Sequence, residues 1–85
     1  MVYNIIITNA AKNQLAKIDK QTAKRITKKL HEITENPFLH VTKLVGLEIY
    51  KLRIGDYRVL LNIQKNNLII IIIEIGHRRN VYNRY

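Results

Sequence analysis

The chain reads as an α+β domain in the order β-α-α-β-β-β, an N-terminal helical hairpin packed on one face of a mostly antiparallel sheet. Three observations predict it. A β-branched opening leads into two stretches whose apolar residues recur at helical spacing. Beyond Glu48 the apolar period falls to two. A nearly unbroken isoleucine run then follows, as expected of a central strand covered on both faces.

The segment from Val2 to Thr8 is β-branched and aromatic, and predicts the first strand. Thr8 or Asn9 can cap the next helix, in which Ala11, Leu15 and Ile18 share a side. A break near Asp19-Lys20 leads to a second helix carrying Ala23, Ile26, Leu30 and Ile33 on one stripe, ended by Asn36-Pro37. The other side of this hairpin is basic: Lys12, Lys17, Lys20, Lys24, Arg25, Lys28 and Lys29. It is either a solvated face or a polyanion surface. Residues 38–48 form a connecting loop ending near Gly46.

In Tyr50-Lys51-Leu52-Arg53-Ile54 apolar residues alternate with cations, as on a strand with one covered face. Gly55-Asp56 reads as a two-residue turn, and residues 57–63 as the return strand. Asn66-Asn67 makes another turn before the isoleucine-rich strand, Leu68 to Ile75. Polar and basic residues from Gly76 to Tyr82 leave the sheet.

With 85 residues and no repeat, low-complexity tract or linker, a single domain spanning 1–85 is expected. Hydrophobic residues make up 47% of the chain, which argues against disorder. There is no cysteine, so neither disulfides nor thiolate metal sites can staple the fold. His31 and His40 lie far from His77 in sequence, and the carboxylates form no ligand pattern, so neither metal nor cofactor is expected. No signal segment or membrane span is visible, which makes the expected location the cytoplasm. Fifteen Lys and Arg against six Asp and Glu leave a net charge of +9. A surplus of that size on a small domain favours polyanions, unless it only keeps an isoleucine-rich chain in solution.

The hairpin register separates these alternatives. Across a Gly55-Asp56 turn, Ile54 faces Tyr57 and Arg53 lies directly opposite Arg58. Opposed side chains share a face with Cβ atoms about 5 Å apart, and Lys51 projects from that face too. Tyr50, Leu52, Ile54 and Val59 then point to the core. Like charges opposed in this way destabilise a ladder unless they spread into water or share an anion. Continued across Asn66-Asn67, the register puts Arg58 opposite Ile75 and brings His77, Arg78 and Arg79 to the same end of the sheet. Five cations and Tyr82 would converge there. Deterring aggregation at an edge strand explains one or two such charges, not five.

Leu44-Val45-Gly46, then Tyr50-Lys51-Leu52-Arg53-Ile54-Gly55-Asp56-Tyr57-Arg58-Val59-Leu60, then Gly76-His77-Arg78-Arg79-Asn80-Val81-Tyr82, resemble the RelE/ParE toxin superfamily over essentially the whole chain. The RelE branch cleaves ribosome-bound mRNA, and the ParE branch poisons DNA gyrase on the same scaffold. The resemblance implies a catalytic role for Lys51, a phosphate-holding role for Arg58, and further catalytic roles for Arg78 and Tyr82. Arg53 and Arg79 fall on commonly basic positions, and with His77, Lys24 and Lys28 are the candidate RNA contacts. One position departs: the family's second lysine, two residues before the first, is here Ile49, with Lys43 a candidate replacement.

The resemblance thus implies a toxin of a toxin–antitoxin pair, a ribosome-dependent mRNA endoribonuclease working by metal-independent 2′-OH attack on the adjacent phosphate. The implied partners are a RelB-like antitoxin, the ribosome and mRNA. A ParE-like gyrase inhibitor and a non-catalytic RNA-binding module are the alternatives. Stacking aromatics for such a module are few, because Tyr50 and Tyr57 are expected in the core. Arginine cannot act as a conventional base. Lysine and tyrosine titrate near about 10 and are lowered by neighbouring cations, which makes Lys51 and Tyr82 the candidates, with His77 a third. A Glu48–His77 couple would be more usual chemistry, but nothing in the sequence brings the two together.

Overall fold

Thr8 turns the chain from its first strand, β1 (Asn4–Ile7), into its first helix, α1 (Asn9–Ala16). Its hydroxyl accepts from the Ala11 amide at 3.3 Å, so it is the helix cap. The same hydroxyl lies 2.9 and 3.1 Å from the carbonyls of Ile72 and Ile73, to which it donates. One side chain thereby fixes the start of the helical layer to the middle of the sheet. Residues 2–77 are described in this structure, a computed structural model.

Helix α2 (Lys20–Glu32) begins at Asp19, whose carboxylate accepts from the Thr22 amide at 3.0 Å. That bond holds the Asp19 carboxyl below its ordinary value, because the amide stabilises the charged form. The helix ends earlier than Pro37 alone would require. Ile33 is its C-cap, and the Thr34 hydroxyl takes up the His31 carbonyl at 2.7 Å. Pro37 instead starts a short 3-10 turn, Pro37–Leu39, and a two-residue strand, β2 (Thr42–Lys43), follows. The expected loop therefore contains an edge strand.

The remaining strands are β3 (Tyr50–Ile54), β4 (Tyr57–Gln64) and β5 (Ile69–His77). The sheet order is β1-β5-β4-β3-β2, with β1 parallel to β5 and the other pairs antiparallel. Two helices on a mixed five-stranded sheet match the predicted fold class, and β5 lies inside the sheet as its composition requires.

The core lies between helices and sheet. Ala11, Ile26, Leu30 and Ile33 from the helices meet Leu52, Ile54, Val59, Leu61, Ile63, Ile70, Ile72 and Ile75 from the strands. Complete burial of each such leucine or isoleucine contributes about 1.5–3 kcal/mol. Tyr50 and Tyr57 are half-buried against this core.

One feature of β5 departs from the predicted register. Gln64 to Leu61 pair with Ile69 to Ile72, as a two-residue turn dictates. A bulge between Leu60 and Leu61 then leaves Ile73 as an extra residue. Leu60 consequently faces Glu74, and Arg58 faces Gly76 rather than Ile75. Ile75 becomes a core residue, opposite Val59. Strand β1 stops pairing at Ile7 with Ile72, and the Gln14 side chain of α1 takes over where it ends. Its carbonyl oxygen accepts from the Ile75 amide at 2.7 Å, and its amide nitrogen lies 3.4 Å from Glu74 Oε1.

Candidate active site

The helices cover one face of the sheet, and alternation sends every second side chain of β3 and β4 to the other. On that open face Arg53 stands directly opposite Arg58, as the hairpin register predicts, and Lys51 stands opposite Leu60. Arg53 is exposed, whereas Arg58 and Lys51 are half-buried. Three cations therefore occupy adjacent rungs of two neighbouring strands. Arg58 faces a residue without a side chain, Gly76, in place of Ile75, and its Nε is buried. The bulge thus sets no β5 side chain directly across from the arginine.

The same bulge separates His77 from this group. His77 pairs with Tyr57 and stacks edge-on against its ring on the helix-covered face, with ring centroids 5.8 Å apart. It is not brought beside Arg53 and Arg58, contrary to the register predicted from the turn alone. Arg78, Arg79 and Tyr82 lie outside the described residues.

Lys43 does not replace the missing second lysine. It pairs with Tyr50, on the opposite face from Lys51, and its ammonium holds Glu48 at 3.3 Å. Glu48 is thereby engaged at the β2–β3 end of the sheet, and its backbone carbonyl accepts from Asn62 Nδ2 at 2.9 Å. A Glu48–His77 couple does not form. Lys24 and Lys28 are exposed on α2, and Lys28 borders a cleft toward the β3–β4 turn.

Two residues of the open face were not expected there. Leu60 is 1% exposed but lies outside the helix-side core, between Lys51 and Glu74 across its two ladders. Glu74 is 6% exposed, a buried carboxylate diagonal to Arg58 and tethered by Gln14. Its signal in the sequence is the single charge that interrupts the isoleucine run. With Glu74 the face combines cations for an anion with one carboxylate able to orient a donor, as it does the Gln14 amide. Among the described residues, no three of His, Cys, Asp or Glu come together as metal ligands, and no helix is long and apolar enough to cross a membrane.

Comparison with known proteins is consistent across three measures. Residues 5–82 match the family of ParE toxins of type II toxin–antitoxin systems, parDE. A protein of Escherichia coli assigned as a RelE-like toxin is 31% identical over 88 aligned residues, which cover 98% of this chain and 93% of that one. Among solved structures, a chain of the toxin–antitoxin complex RelBE2 from Mycobacterium tuberculosis superposes with a TM-score of 0.86 at 20% identity, over 92% of this chain and 100% of that one. A double arginine-to-alanine mutant of the E. coli toxin RelE, in the free state, gives 0.83 at 22% identity, over 96% and 90%. The archaeal RelE–RelB complex from Pyrococcus horikoshii OT3 gives 0.81 at 24% identity, over 95% and 100%. At these identities the structural likenesses establish the fold.

Proposed function

Because this chain belongs to the RelE/ParE toxin family of type II toxin–antitoxin systems, we propose that it is the RelE-type member, a ribosome-dependent endoribonuclease that cuts mRNA and stops translation. The observation that carries the reading is the opposed Arg53–Arg58 pair, with Lys51 on the same open face. A cationic group of this kind is unfavourable by itself and favourable around a phosphate.

The chemistry follows from what such a face can supply. The nucleophile is the substrate's own ribose 2′-OH. It attacks the adjacent phosphorus, the bond to the 5′-oxygen of the next nucleotide breaks, and a 2′,3′-cyclic phosphate and a 5′-hydroxyl result. Arg58 holds the phosphate in line and balances the charge gathering on its oxygens, with Arg78 as its partner in the clamp. Lys51 takes the 2′-OH proton, and Tyr82 supplies one to the leaving oxygen. This scheme asks no metal ion to carry charge, because the side chains do.

The toxin–antitoxin complexes among the structural relatives support a RelB-like antitoxin as partner. An acidic antitoxin segment suits a surface of net charge +9. The match to the ParE family favours one second reading, a ParE-like inhibitor of DNA gyrase.

Cleavage in a reconstituted translation system, with and without ribosomes, tests the proposal. The intact chain should cut mRNA only with ribosomes. Arg58→Ala should lower the rate by about 100-fold or more while RNA binding changes by no more than about tenfold. Binding and cleavage falling in parallel would reduce the face to a docking patch. Absence of cleavage, with gyrase-linked DNA breaks, would move the chain to the second reading.

A further inference from the structure

A cleft of about 330 Å³ lies between α2 and the turn that ends β3, on the rim of the sheet, and neither Lys51 nor Arg58 lines it. Arg25, Lys28, Lys29 and Glu32 line it from the helix, and Arg53 and Gly55 from the hairpin. The helical residues lie at positions i, i+3, i+4 and i+7, a single stripe beside the one that enters the core.

The lining differs from an ordinary solvated lysine face in three respects. Its cations come from two elements and converge on a hollow, where low-dielectric walls strengthen their field. They outnumber their carboxylates four to one, and that carboxylate, Glu32, is engaged by Lys29 at 3.7 Å. Among the described residues, no carboxylate partners Arg25, Lys28 or Arg53. Finally, the Arg25 guanidinium lies over the turn. A Cβ on Gly55 would meet its Nη1 at 3.5 Å, and Gly55 holds a φ of +57°. The arginine, although exposed, therefore lies close over the backbone of the turn.

The cleft wall also limits its ligand. None of the lining residues is aromatic, so a nucleobase finds no stacking surface. What remains is recognition of phosphate oxygens by guanidinium and ammonium groups. Arg53 belongs to both places, since it lines the cleft and faces Arg58 across the ladder. Cations thus continue around the rim of the sheet from the open face to α2.

Resting on the reading of the open face as an RNA site, we propose that the α2–β3 cleft binds backbone phosphates of the RNA other than the one being cleaved. The strand crosses the rim at Arg53, and the cleft fixes its path by phosphate contacts that carry no sequence information.

The test uses amide chemical shifts of the full chain, with inorganic pyrophosphate and a short 2′-O-methyl RNA as probes. The RNA lacks the attacking hydroxyl and stays intact. Pyrophosphate should saturably shift the amides of Gly55 and Lys28, both in the intact chain and in Arg58→Ala. The double variant Arg25→Gln/Lys28→Gln should bind pyrophosphate at least about tenfold more weakly. It should also lower the slope of log affinity against log salt for the RNA by about 0.7 for each phosphate that is no longer neutralised. Shifts spread evenly over all helix lysines without saturation, or an unchanged salt slope, would overturn the proposal. So would a glutamate-rich peptide that displaces pyrophosphate from the cleft at lower concentration, which would assign it to an acidic protein. The two readings fail separately. An unchanged salt slope with cleavage still abolished in Arg58→Ala removes the cleft alone. Saturation at Gly55 in a chain that cuts no mRNA retains the cleft as a phosphate site and removes the nuclease.

Discussion

The two faces of the sheet come from the same strands and differ in their chemistry. Under the helices, Leu52, Ile54, Val59, Leu61, Ile63, Ile70, Ile72 and Ile75 are interchangeable in kind: each displaces water and fills volume. On the open face Lys51, Arg53, Arg58, Leu60 and Glu74 differ from rung to rung, and two of them repel each other. The covered face accounts for stability. The open face gathers cations at one end of the sheet, an arrangement that suits an anionic ligand. The helix layer shows the same division on a smaller scale, with an apolar stripe inward and an adjacent cationic stripe lining the cleft.

The residue that keeps the faces distinct on β5 is Ile73, the extra residue of the bulge. With Ile73 paired into the ladder, Glu74 would fall opposite Val59 under the helices and Ile75 opposite Arg58. Ile75→Glu makes that exchange directly and should have the largest effect, because Ile75 is 1% exposed on the covered face. A carboxylate forced into such a core costs several kcal/mol, a large part of the roughly 5–15 kcal/mol that holds a domain together. Denaturant unfolding should find no cooperative transition. A variant that unfolds like the intact chain would mean that the covered face is not sealed at β5.

Point substitutions sharpen the contrast at intermediate size. Ile72, fully buried beneath the helices, should lose about 2–5 kcal/mol on replacement by alanine. Ile6, 49% exposed on the edge strand, should lose less than about 1 kcal/mol by the same change. Equal losses, read from urea midpoints at constant slope, would show the open side to be packed as firmly as the covered one.

How much of this the sequence disclosed follows from the range of the interactions. The covered face was legible because periodicity is local, and Ile26, Leu30 and Ile33 or Leu52, Ile54 and Val59 announce their side through immediate neighbours. The Arg53–Arg58 pair was legible because a two-residue turn separates them and fixes their register. Beyond the next turn, one inserted residue reversed the outcome: Ile73 sits in a run of identical residues, where no pattern shows which isoleucine bulges. Hence Arg58 faces Gly76, and His77 stands with Tyr57 on the other face. Gln14 and Glu74 meet across 60 residues of chain, through a hydrogen bond that depends on where β1 ends. The α2–β3 cleft needs the helix placed against the hairpin, so its four cations appear in the sequence only as scattered basic positions.

The smallest expected effect on stability separates the two roles most directly. Arg53→Glu converts a like-charge cross-strand pair into an opposite-charge one, and cross-strand pairs contribute about 0.2–1 kcal/mol each. If the open face existed for stability, the change would improve the protein in every respect. If it exists to hold phosphates, stability and binding must move in opposite directions. The urea midpoint should rise by an amount within that range, while affinity for a 2′-O-methyl RNA falls and its salt slope becomes shallower, because the site loses one cation and gains one anion. A midpoint that falls together with affinity would show Arg53 to be held by interactions other than this pair. A midpoint that rises with affinity unchanged would take Arg53 out of the phosphate path, and with it the link between the open face and the cleft.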